Sequence, residues 1–393
     1  MMSLNRLLLA AGVALSVSVP SGHALAAGPS CADGAIKIGA VTTVTGPVDW
    51  SEVPKAAQAV FDQINAAGGV NGCKIDYTIS DDKGDPQVSA QAARDLIDNK
   101  EVVAMVGGAS LVECAVNGPT YKRKKVMDVP GIGVDAACFN SPNIAPIDVG
   151  PYKSTTAMAY YATTSLHVRK LCVVMAIIGG TGEAYKKAIT DWEKITGQKL
   201  HLLDLSLPPA GDLTPYLIKV RDAGCEAVVT NEIEPGVVQW VKTADAQKIT
   251  GIKWLFLAPA YTEQVAKALA DTNQPIYSCI EWEPYTELDS DANKAWVASM
   301  KAAHRPLTAF SQGGYSAAQM FIELIRRIDG PVTRASVTAA LLNMKPIKIP
   351  LGGNAWVFGK GAVHSPMHST KIMKLEHGAW KVQTANWVVL PPH

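Results

Sequence analysis

The stretch Ile64-Asn65-Ala66-Ala67-Gly68-Gly69-Val70-Asn71-Gly72 lies at the junction of a predicted helix and a predicted strand. Before it, apolar residues recur at helical spacing over residues 53–67. The glycine pair favours a helix end there, because glycine readily takes the left-handed conformation found just after a helix. After it, residues 73–80 alternate apolar and polar side chains, which predicts a strand. The stretch therefore indicates a helix that returns directly into a strand.

The same alternation of strand and helix extends over the rest of the chain. Further strands are predicted over residues 36–42, 102–107, 126–132, 171–177, 200–205, 227–230 and 254–258, and further helices over 89–99, 183–196, 213–223, 237–247, 289–305 and 315–328. This is the pattern of parallel sheets covered by helices. The pattern restarts after Pro151, and 393 residues exceed one ordinary domain, so we expect two halves of one design.

Residues 1–26 have the features of a signal peptide. The apolar run over residues 7–19 is shorter than the roughly 20 residues that span a bilayer. Ala24-Leu25-Ala26 fits the small-x-small pattern that signal peptidase reads. Gly28-Pro29-Ser30 separates this point from Cys31, which argues against a lipid anchor. We expect cleavage after about Ala26 and a soluble protein exported to the periplasm.

Composition and motifs argue against several other classes of protein. The net charge of +1 gives no reason to expect a nucleic-acid partner. Gly179-Gly180-Thr181-Gly182 lacks the Gly-Lys-Ser/Thr ending of a phosphate loop, and no Gly-x-Ser-x-Gly elbow is present. The seven cysteines include no Cys-x-x-Cys pair, which argues against a zinc site. We therefore expect no cofactor, no metal ion and no catalytic residue.

Several motifs resemble, in order and spacing, those of the branched-chain amino-acid-type periplasmic binding proteins of ABC importers. The most specific is the 64–72 stretch, which is similar to the family's Ile-Asn-x-x-Gly-Gly-(Val/Ile)-Asn-Gly segment. The others are Ile36-Lys37-Ile38-Gly39, Thr45-Gly46-Pro47, Asp81-Asp82 with Asp85-Pro86, Met105-Val106-Gly107-Gly108-Ala109-Ser110 and Asp212-Leu213-Thr214-Pro215-Tyr216-Leu217. Together they cover roughly residues 35–385.

The resemblance implies the type I periplasmic binding protein fold, an α/β fold with two doubly wound parallel-sheet lobes joined by three crossover strands. We place the crossovers near Gly150-Pro151, Glu281-Trp282-Glu283 and Pro350-Leu351. This assigns residues 27–150 and 284–349 to lobe 1, and residues 151–283 and 350–393 to lobe 2.

The loops after the strands are the candidate ligand contacts, because ligands of open α/β sheets bind beyond the carboxyl ends of the strands, near helix N-termini. The candidates are Thr45, Trp50, Ser110, Leu111, Val112 and Asp135 in lobe 1, Tyr152 at the first crossover, and Thr181, Gly182, Glu232, Ile233 and Tyr261 in lobe 2. Ser110, with the N–H groups that follow it, is the preferred anchor for a carboxylate or carbonyl oxygen.

Each of these candidates also has a structural alternative. Thr45-Gly46-Pro47 also fits a simple turn, and Ser110 also fits a helix cap. Trp50 also fits ordinary packing, and Asp135 and Glu232 also fit solvated loop acids.

The resemblance is incomplete at three of the positions that hold an amino acid in the family. The serine-threonine cluster is reduced to Ser110-Leu111-Val112-Glu113, Ala260 stands where an acid for the α-ammonium is expected, and Ile233 replaces an expected tyrosine. Asp135 or Glu232 offers a replacement for the missing acid. An aromatic or aliphatic carboxylate, or an amide, therefore fits the pocket as well as an α-amino acid does.

Three disulfides are expected in the oxidising environment outside the cytoplasm. Cys31 and Cys73 precede strands that should be neighbours in the first sheet, and Cys172 and Cys225 start neighbouring strands of the second. Cys114 and Cys138 both follow strand-end loops of lobe 1. Pairing these residues leaves Cys279 free.

The sequence thus predicts a receptor rather than an enzyme. We expect this receptor to capture a small organic solute, an amino acid or an aromatic or aliphatic carboxylate, in a cleft between the lobes. Its expected partner is the membrane permease of an ABC importer, and we expect a monomer. A ligand-sensing module for a membrane signalling partner is the alternative, and an exported enzyme is a weaker one.

Overall fold

The computed structural model describes residue 31 and residues 34–391, so the predicted signal peptide lies outside the described residues. The strands are β1 (Ala35–Thr42), β2 (Lys74–Asp81), β3 (Ala104–Val106), β4 (Met127–Val129), β5 (Leu171–Ala176), β6 (Leu202–Leu207), β7 (Ala227–Thr230), β8 (Lys253–Phe256), β9 (Ile276–Ile280), β10 (Ile347–Lys348), β11 (Ala355–Trp356), β12 (Ser369–Glu376), β13 (Ala379–Val382) and β14 (Val388–Val389). The helices are α1 (Glu52–Ala66), α2 (Pro86–Arg94), α3 (Glu113–Lys124), α4 (Ala136–Phe139), α5 (Gly150–Thr164), α6 (Gly182–Thr196), α7 (Thr214–Asp222), α8 (Glu234–Ala246), α9 (Glu263–Ala268), α10 (Lys294–Ala302), α11 (Ala309–Ile325) and α12 (Arg334–Asn343).

The first sheet has the strand order β2-β1-β3-β4, and all of its described pairings are parallel. Helix α1 packs tightly against α11, because Gly314 brings α11 so close that a Cβ there would lie 1.8 Å from the Val53 carbonyl oxygen. Gln63 of α1 also donates a hydrogen bond to the Ser299 carbonyl oxygen of α10 at 2.9 Å. The helices that follow β9 therefore return to the first sheet.

The second sheet has the order β13-β12-β9-β8-β7-β5-β6, with β14 paired to β12. Strands β5 to β9 pair in parallel, whereas β12 pairs antiparallel with β9, with β13 and with β14. Two parallel-sheet units built from interleaved parts of the chain confirm the predicted fold class. The antiparallel edge strands β12, β13 and β14 come from the C-terminal segment of the chain.

The segment between β10 and β12 contacts lobe 1 before it reaches the second sheet. Trp356 Nε1 donates a hydrogen bond to the Pro146 carbonyl oxygen at 3.0 Å, and His364 Nδ1 lies 2.9 Å from the Ser141 carbonyl oxygen. Residues 355–364, assigned to lobe 2 from the sequence, therefore pack against residues 141–146. The boundary at 350 stays a prediction, and these contacts favour a crossover closer to β12.

The helices α3, α4, α9 and α12 were not among those predicted, and two further differences, at α5 and α11, have a clear physical reason. Helix α5 was not predicted, because it is buried on most of its faces and has no amphipathic stripe for a periodicity search to detect. Helix α11 begins at Ala309 rather than near residue 315. Its start is fixed by a capping box between Thr308 and Ser311, in which each side chain bonds the other's main-chain N–H.

All three predicted disulfides are present. The Cα–Cα separations are 5.6 Å for Cys31–Cys73, 5.0 Å for Cys114–Cys138 and 5.9 Å for Cys172–Cys225. Cys279 is buried and free. Within residues 34–391, no helix combines the length and apolar character needed to cross a membrane.

Candidate functional site

A buried network joins the loops at the carboxyl edge of the first sheet. Asp82 directly follows β2, and its Oδ1 accepts hydrogen bonds from Thr43 Oγ1 at 2.8 Å and from the Gly84 N–H at 2.9 Å. The Ser110 hydroxyl donates to Asp82 Oδ2. Thr43 and Ser110 follow β1 and β3, so one carboxylate holds three strand-end loops. Asp82 belongs to the Asp81-Asp82 motif of the sequence, but its hydrogen bonds to these loops were not predicted.

Ser110, the predicted anchor, is fully engaged within the protein. Besides donating to Asp82, its Oγ accepts hydrogen bonds from the N–H groups of Val112 and Glu113, both at 3.0 Å. The hydroxyl therefore caps the start of α3, which is the alternative that the sequence left open. Leu111 and Val112 are half-buried beside it. They remain candidate contacts through their side chains and the local backbone.

Thr45 and Trp50 lie on the loop after β1. Thr45 is exposed, and its Oγ1 donates to Asp81 Oδ2 at 2.6 Å. Partial burial of Asp81 opposes ionisation, but hydrogen bonds from the Thr45 hydroxyl and from nearby main-chain N–H groups outweigh it and lower the pKa of Asp81 to about 2. Trp50 is half-buried, and its main-chain N–H donates to the Thr43 carbonyl oxygen at 2.9 Å. Thr45 thus belongs to an exposed loop that is fixed by its hydrogen bond to Asp81, next to the carboxyl ends of the first sheet's strands.

Asp135 follows β4 and joins two helix starts. Its carboxylate accepts hydrogen bonds from the Ala137 N–H at 2.7 Å and the Ala115 N–H at 3.1 Å. Burial raises the pKa of Asp135, although these N–H groups oppose the shift. Asp135 lies next to Cys114 and Cys138, but both sulfurs are taken up by their disulfide and offer no thiolate to a metal ion. Asp135 is therefore a buried cap and not a solvated loop acid.

Tyr152 lies where the two edges meet. Its hydroxyl donates to the Val134 carbonyl oxygen of the loop after β4 at 3.3 Å. Its ring makes edge contacts with Phe139, at a centroid distance of 6.0 Å, and with Tyr185 of α6, at 5.0 Å. Asn231, in the loop after β7, donates to the Tyr185 hydroxyl at 2.9 Å. Neither Tyr185 nor Asn231 was predicted from the sequence as a site residue, although Asn231 directly follows a predicted strand and Tyr185 lies in the first turn of a predicted helix.

The second edge presents apolar side chains to solvent. Ile178 is 53% exposed and Ile233 is 43% exposed, and they follow the neighbouring strands β5 and β7. Thr181 Oγ1 donates to the Ile178 carbonyl oxygen at 2.9 Å, which shapes the loop before α6. Gly182 is the first residue of α6. Ile178 was also missed, although its place just after an apolar strand was visible in the sequence.

Glu232 is buried and incompletely paired. Its side chain is 6% exposed, and Oε1 has no hydrogen-bond partner among the residues that the structure describes. Burial raises the pKa of Glu232 to about 7. A Cβ at Gly236 would lie 1.7 Å from Glu232 Oε2, so the carboxyl group lies against the first turn of α8 in space that only glycine leaves free. A group that donates a hydrogen bond to Oε1 would stabilise the ionised form.

Tyr261 is placed differently from the other candidates. It is 3% exposed, its hydroxyl lies 3.0 Å from Thr286 Oγ1, and its ring contacts Tyr285 and Trp380. Tyr261 therefore packs into the core beside the second sheet. A surface cavity of about 580 Å³ is lined by His167 and Arg169. Both residues precede β5, so this cavity lies at the opposite end of the second sheet from the strand-end loops.

The chain is similar to several known solute-binding proteins. The Leu/Ile/Val-binding protein homolog 3 of Brucella melitensis is 26% identical over 328 residues, which cover 81% of this chain and 86% of that protein. The solved structure of a branched-chain amino acid ABC transporter protein from Thermus thermophilus with bound valine aligns with a TM-score of 0.76 at 14% identity, covering 91% of this chain and 96% of that one. A solute-binding protein of R. palustris in complex with 4-hydroxybenzoate aligns with a TM-score of 0.74 at 20% identity, covering 91% and 98%.

The structural matches have low identity and support the shared fold. The family model described as periplasmic binding protein matches residues 35–379, which include the whole first sheet and strands β5 to β9 and β12 of the second. The protein is therefore a member of the periplasmic binding protein family.

Proposed function

We propose that the protein captures a small organic solute, an amino acid or an aromatic or aliphatic carboxylate, between its lobes and delivers it to an ABC importer. The observation that carries this proposal is the contrast between the two edges that meet at Tyr152. The first edge has loops fixed by Asp82, and the second exposes Ile178 and Ile233. Fixed polar loops opposite apolar side chains suit a ligand with a polar head and an apolar body.

Closure of the lobes around the ligand supplies the signal for delivery. Ligand contacts made with both edges favour the closed form, so the solute shifts the population towards it. Expulsion of water strengthens the polar contacts inside. The lobe 1 loops fixed by Asp82 form the polar side of the proposed site, and Glu232 on the other side suits a hydrogen-bond donor of the ligand.

The proposed partner is the membrane permease of the importer, and the proposed site of action is the periplasm. Among relatives, the Brucella melitensis protein is a Leu/Ile/Val-binding protein homolog, and the R. palustris protein was solved with 4-hydroxybenzoate. These names support both amino acids and aromatic acids as candidates. We also propose that the protein acts as a monomer and makes or breaks no bond in its ligand.

A thermal-shift screen tests the capture step with valine, isoleucine, 4-hydroxybenzoate and straight-chain fatty acids. A ligand present at 100 times its Kd should add about 2.7 kcal/mol of stability. NMR of the recovered ligand should show it unchanged. A converted ligand would overturn the receptor in favour of an enzyme, and a screen without any stabilising compound would count against these solute classes.

Uptake of the labelled ligand by intact cells tests the delivery step. Cells that lack this protein should take up the ligand more slowly than cells that produce it. Equal uptake, together with tight binding in solution, would favour a sensing function instead.

A further inference from the structure

We propose that Asp82 is the positioning residue of the lobe 1 half of the ligand site, holding three strand-end loops in the arrangement that meets the ligand. This inference rests on the proposed binding function of the cleft. Asp82 itself is completely buried, so it acts through the residues that it holds and not through contact with the solute.

The Asp82 carboxylate accepts hydrogen bonds from three groups on different strand-end loops. Its Oδ1 accepts hydrogen bonds from Thr43 Oγ1 at 2.8 Å and the Gly84 N–H at 2.9 Å, and its Oδ2 accepts one from the Ser110 hydroxyl. Thr43 and Ser110 are themselves 0% and 3% exposed. In this dry environment hydrogen bonds to a charged group are strong and expensive to lose.

Thr43 and Ser110 in turn orient main-chain N–H groups at the start of α3. Ser110 Oγ accepts the N–H groups of Val112 and Glu113, each at 3.0 Å. Thr43 Oγ1 accepts the Leu111 N–H at 3.3 Å. Three successive N–H groups at the entrance to α3 are therefore oriented by two hydroxyls, and both hydroxyls donate their hydrogens to Asp82. The conformation of residues 110–113 thus depends on a carboxylate 28 residues earlier in the chain.

The acidic neighbours of Asp82 accept hydrogen bonds from different groups. Asp81 receives Thr45 Oγ1 and the Val44 N–H at the exposed rim of the same edge. Asp85 caps α2 by accepting the N–H groups of Gln87 at 2.7 Å and Val88 at 2.9 Å. Of these three carboxylates, Asp82 is the one that accepts a hydrogen bond from Ser110.

The test compares Asp82→Asn with Asp85→Asn. An asparagine at 82 keeps one acceptor oxygen but presents an N–H group in place of the other, so one of the hydroxyls of Thr43 and Ser110 loses its acceptor. The variant at 85 alters a carboxylate that caps a helix only three residues away, so it controls for the loss of charge and of a cap. Ser110→Ala removes one contact of the network and serves if Asp82→Asn fails to fold.

Hydrogen exchange of the ligand-free protein gives the first readout. We expect Asp82→Asn to speed the exchange of the Leu111, Val112 and Glu113 amides about tenfold relative to amides elsewhere in lobe 1. Ser110→Ala should do so at Val112 and Glu113, with a smaller effect at Leu111, which Thr43 still holds. Asp85→Asn should leave all three amides unchanged. Unchanged exchange in Asp82→Asn, or an equal effect of Asp85→Asn, would overturn the proposal.

Isothermal titration with isoleucine and 4-hydroxybenzoate gives the second readout, which a purely structural role would not change selectively. For whichever probe binds the wild type, Asp82→Asn should raise Kd about tenfold, and Asp85→Asn should raise it less than about twofold. Equal Kd values for wild type and Asp82→Asn would also overturn the proposal. If neither probe binds the wild type, the proposed capture of these solutes fails, while the exchange data still decide whether Asp82 positions the loop.

Discussion

The Glu281 carboxylate accepts a hydrogen bond from the Gly150 main-chain N–H, with 3.1 Å between Oε1 and N. The same oxygen accepts the Ser154 hydroxyl at 3.0 Å. Gly150 begins α5 and Glu281 directly follows β9, so this contact joins the two segments where we predict the first two crossovers. Asp148 is also buried here and accepts the Gly133 N–H at 2.9 Å. Two buried carboxyl groups, those of Asp148 and Glu281, therefore lie at the predicted crossovers.

We predict that Glu281 makes the free energy of unfolding fall as the pH rises from about 4.5 to about 7. Burial raises the pKa of Glu281 from 4.5 to about 7. Burial and the Glu281 charge also raise the pKa of Asp148 well above its usual range. The folded state therefore binds more protons than the unfolded state in this window, and stability is lost as these protons leave. Urea unfolding at a series of pH values measures the slope.

Glu281→Gln should reduce this slope and match or exceed the wild-type stability above pH 7. The amide oxygen of the glutamine can still accept the Gly150 and Ser154 hydrogens. Glu287→Gln removes an exposed carboxyl group from the segment that follows β9 and is the matched control. A wild-type slope that survives in Glu281→Gln would show that other buried acids, such as Glu113 and Asp128, account for it.

We predict that two of the disulfides differ in their effect on ligand binding although both stabilise the fold. Cys172–Cys225 closes a span of 53 residues near the amino ends of β5 and β7, and Cys114–Cys138 closes a span of 24 at the starts of α3 and α4. From loop length, replacing either pair by alanines should cost about 3–4 kcal/mol of unfolding free energy.

Only the Cys114→Ala/Cys138→Ala variant should also bind ligand more weakly, because this disulfide joins two ligand loops of lobe 1. Guanidinium unfolding and isothermal titration measure the two effects separately. Equal ligand affinity in both double variants would remove any function of Cys114–Cys138 in the site.

The sequence predicted strands β1 to β8 and all three disulfide pairs, because both follow from local periodicity and from the parallel arrangement of neighbouring strands. It did not show that Ser110 bonds to Asp82, since that contact depends on side-chain positions 28 residues apart. Helix α5 escaped detection because buried serine, threonine and alanine residues on several faces give no amphipathic stripe. The burial of Tyr261 could not be predicted for a related reason, since position after a strand does not reveal which way a side chain packs.

We predict that the exposed side chain of Ile233 binds the apolar part of the ligand. Ile233→Ser should raise Kd for an apolar solute about threefold to tenfold, because each buried methylene contributes about 0.8 kcal/mol. The stability of the free protein should stay within about 0.5 kcal/mol, since the side chain is 43% exposed. Leu203→Ser is the control, because Leu203 is similarly exposed, at 40%, within β6 and away from the strand-end loops. If both variants bind the ligand as wild type does, Ile233 is not a ligand contact.

We predict that Gly236→Ala displaces the Glu232 carboxyl group without unfolding α8. The new Cβ would lie 1.7 Å from Glu232 Oε2, and this mobile end of the side chain can move towards water. The pKa of Glu232 should then fall from about 7 towards 4.5, because burial is what raises it. Stability at pH 7 should stay level or rise by up to about 1 kcal/mol, since alanine favours the helix over glycine.

Carboxyl NMR of labelled glutamate measures the Glu232 titration, and isothermal titration measures ligand affinity. If Glu232 receives a hydrogen-bond donor of the solute, Gly236→Ala and Glu232→Gln should weaken binding to a similar extent. Gly118→Ala is the control, because it adds a methyl group in the middle of α3, where the nearest atoms lie 3.6 Å from the new carbon. A Glu232 pKa that stays near 7 in Gly236→Ala would mean that the side chain finds another buried position, and unaltered affinity in both variants would exclude Glu232 from the ligand site.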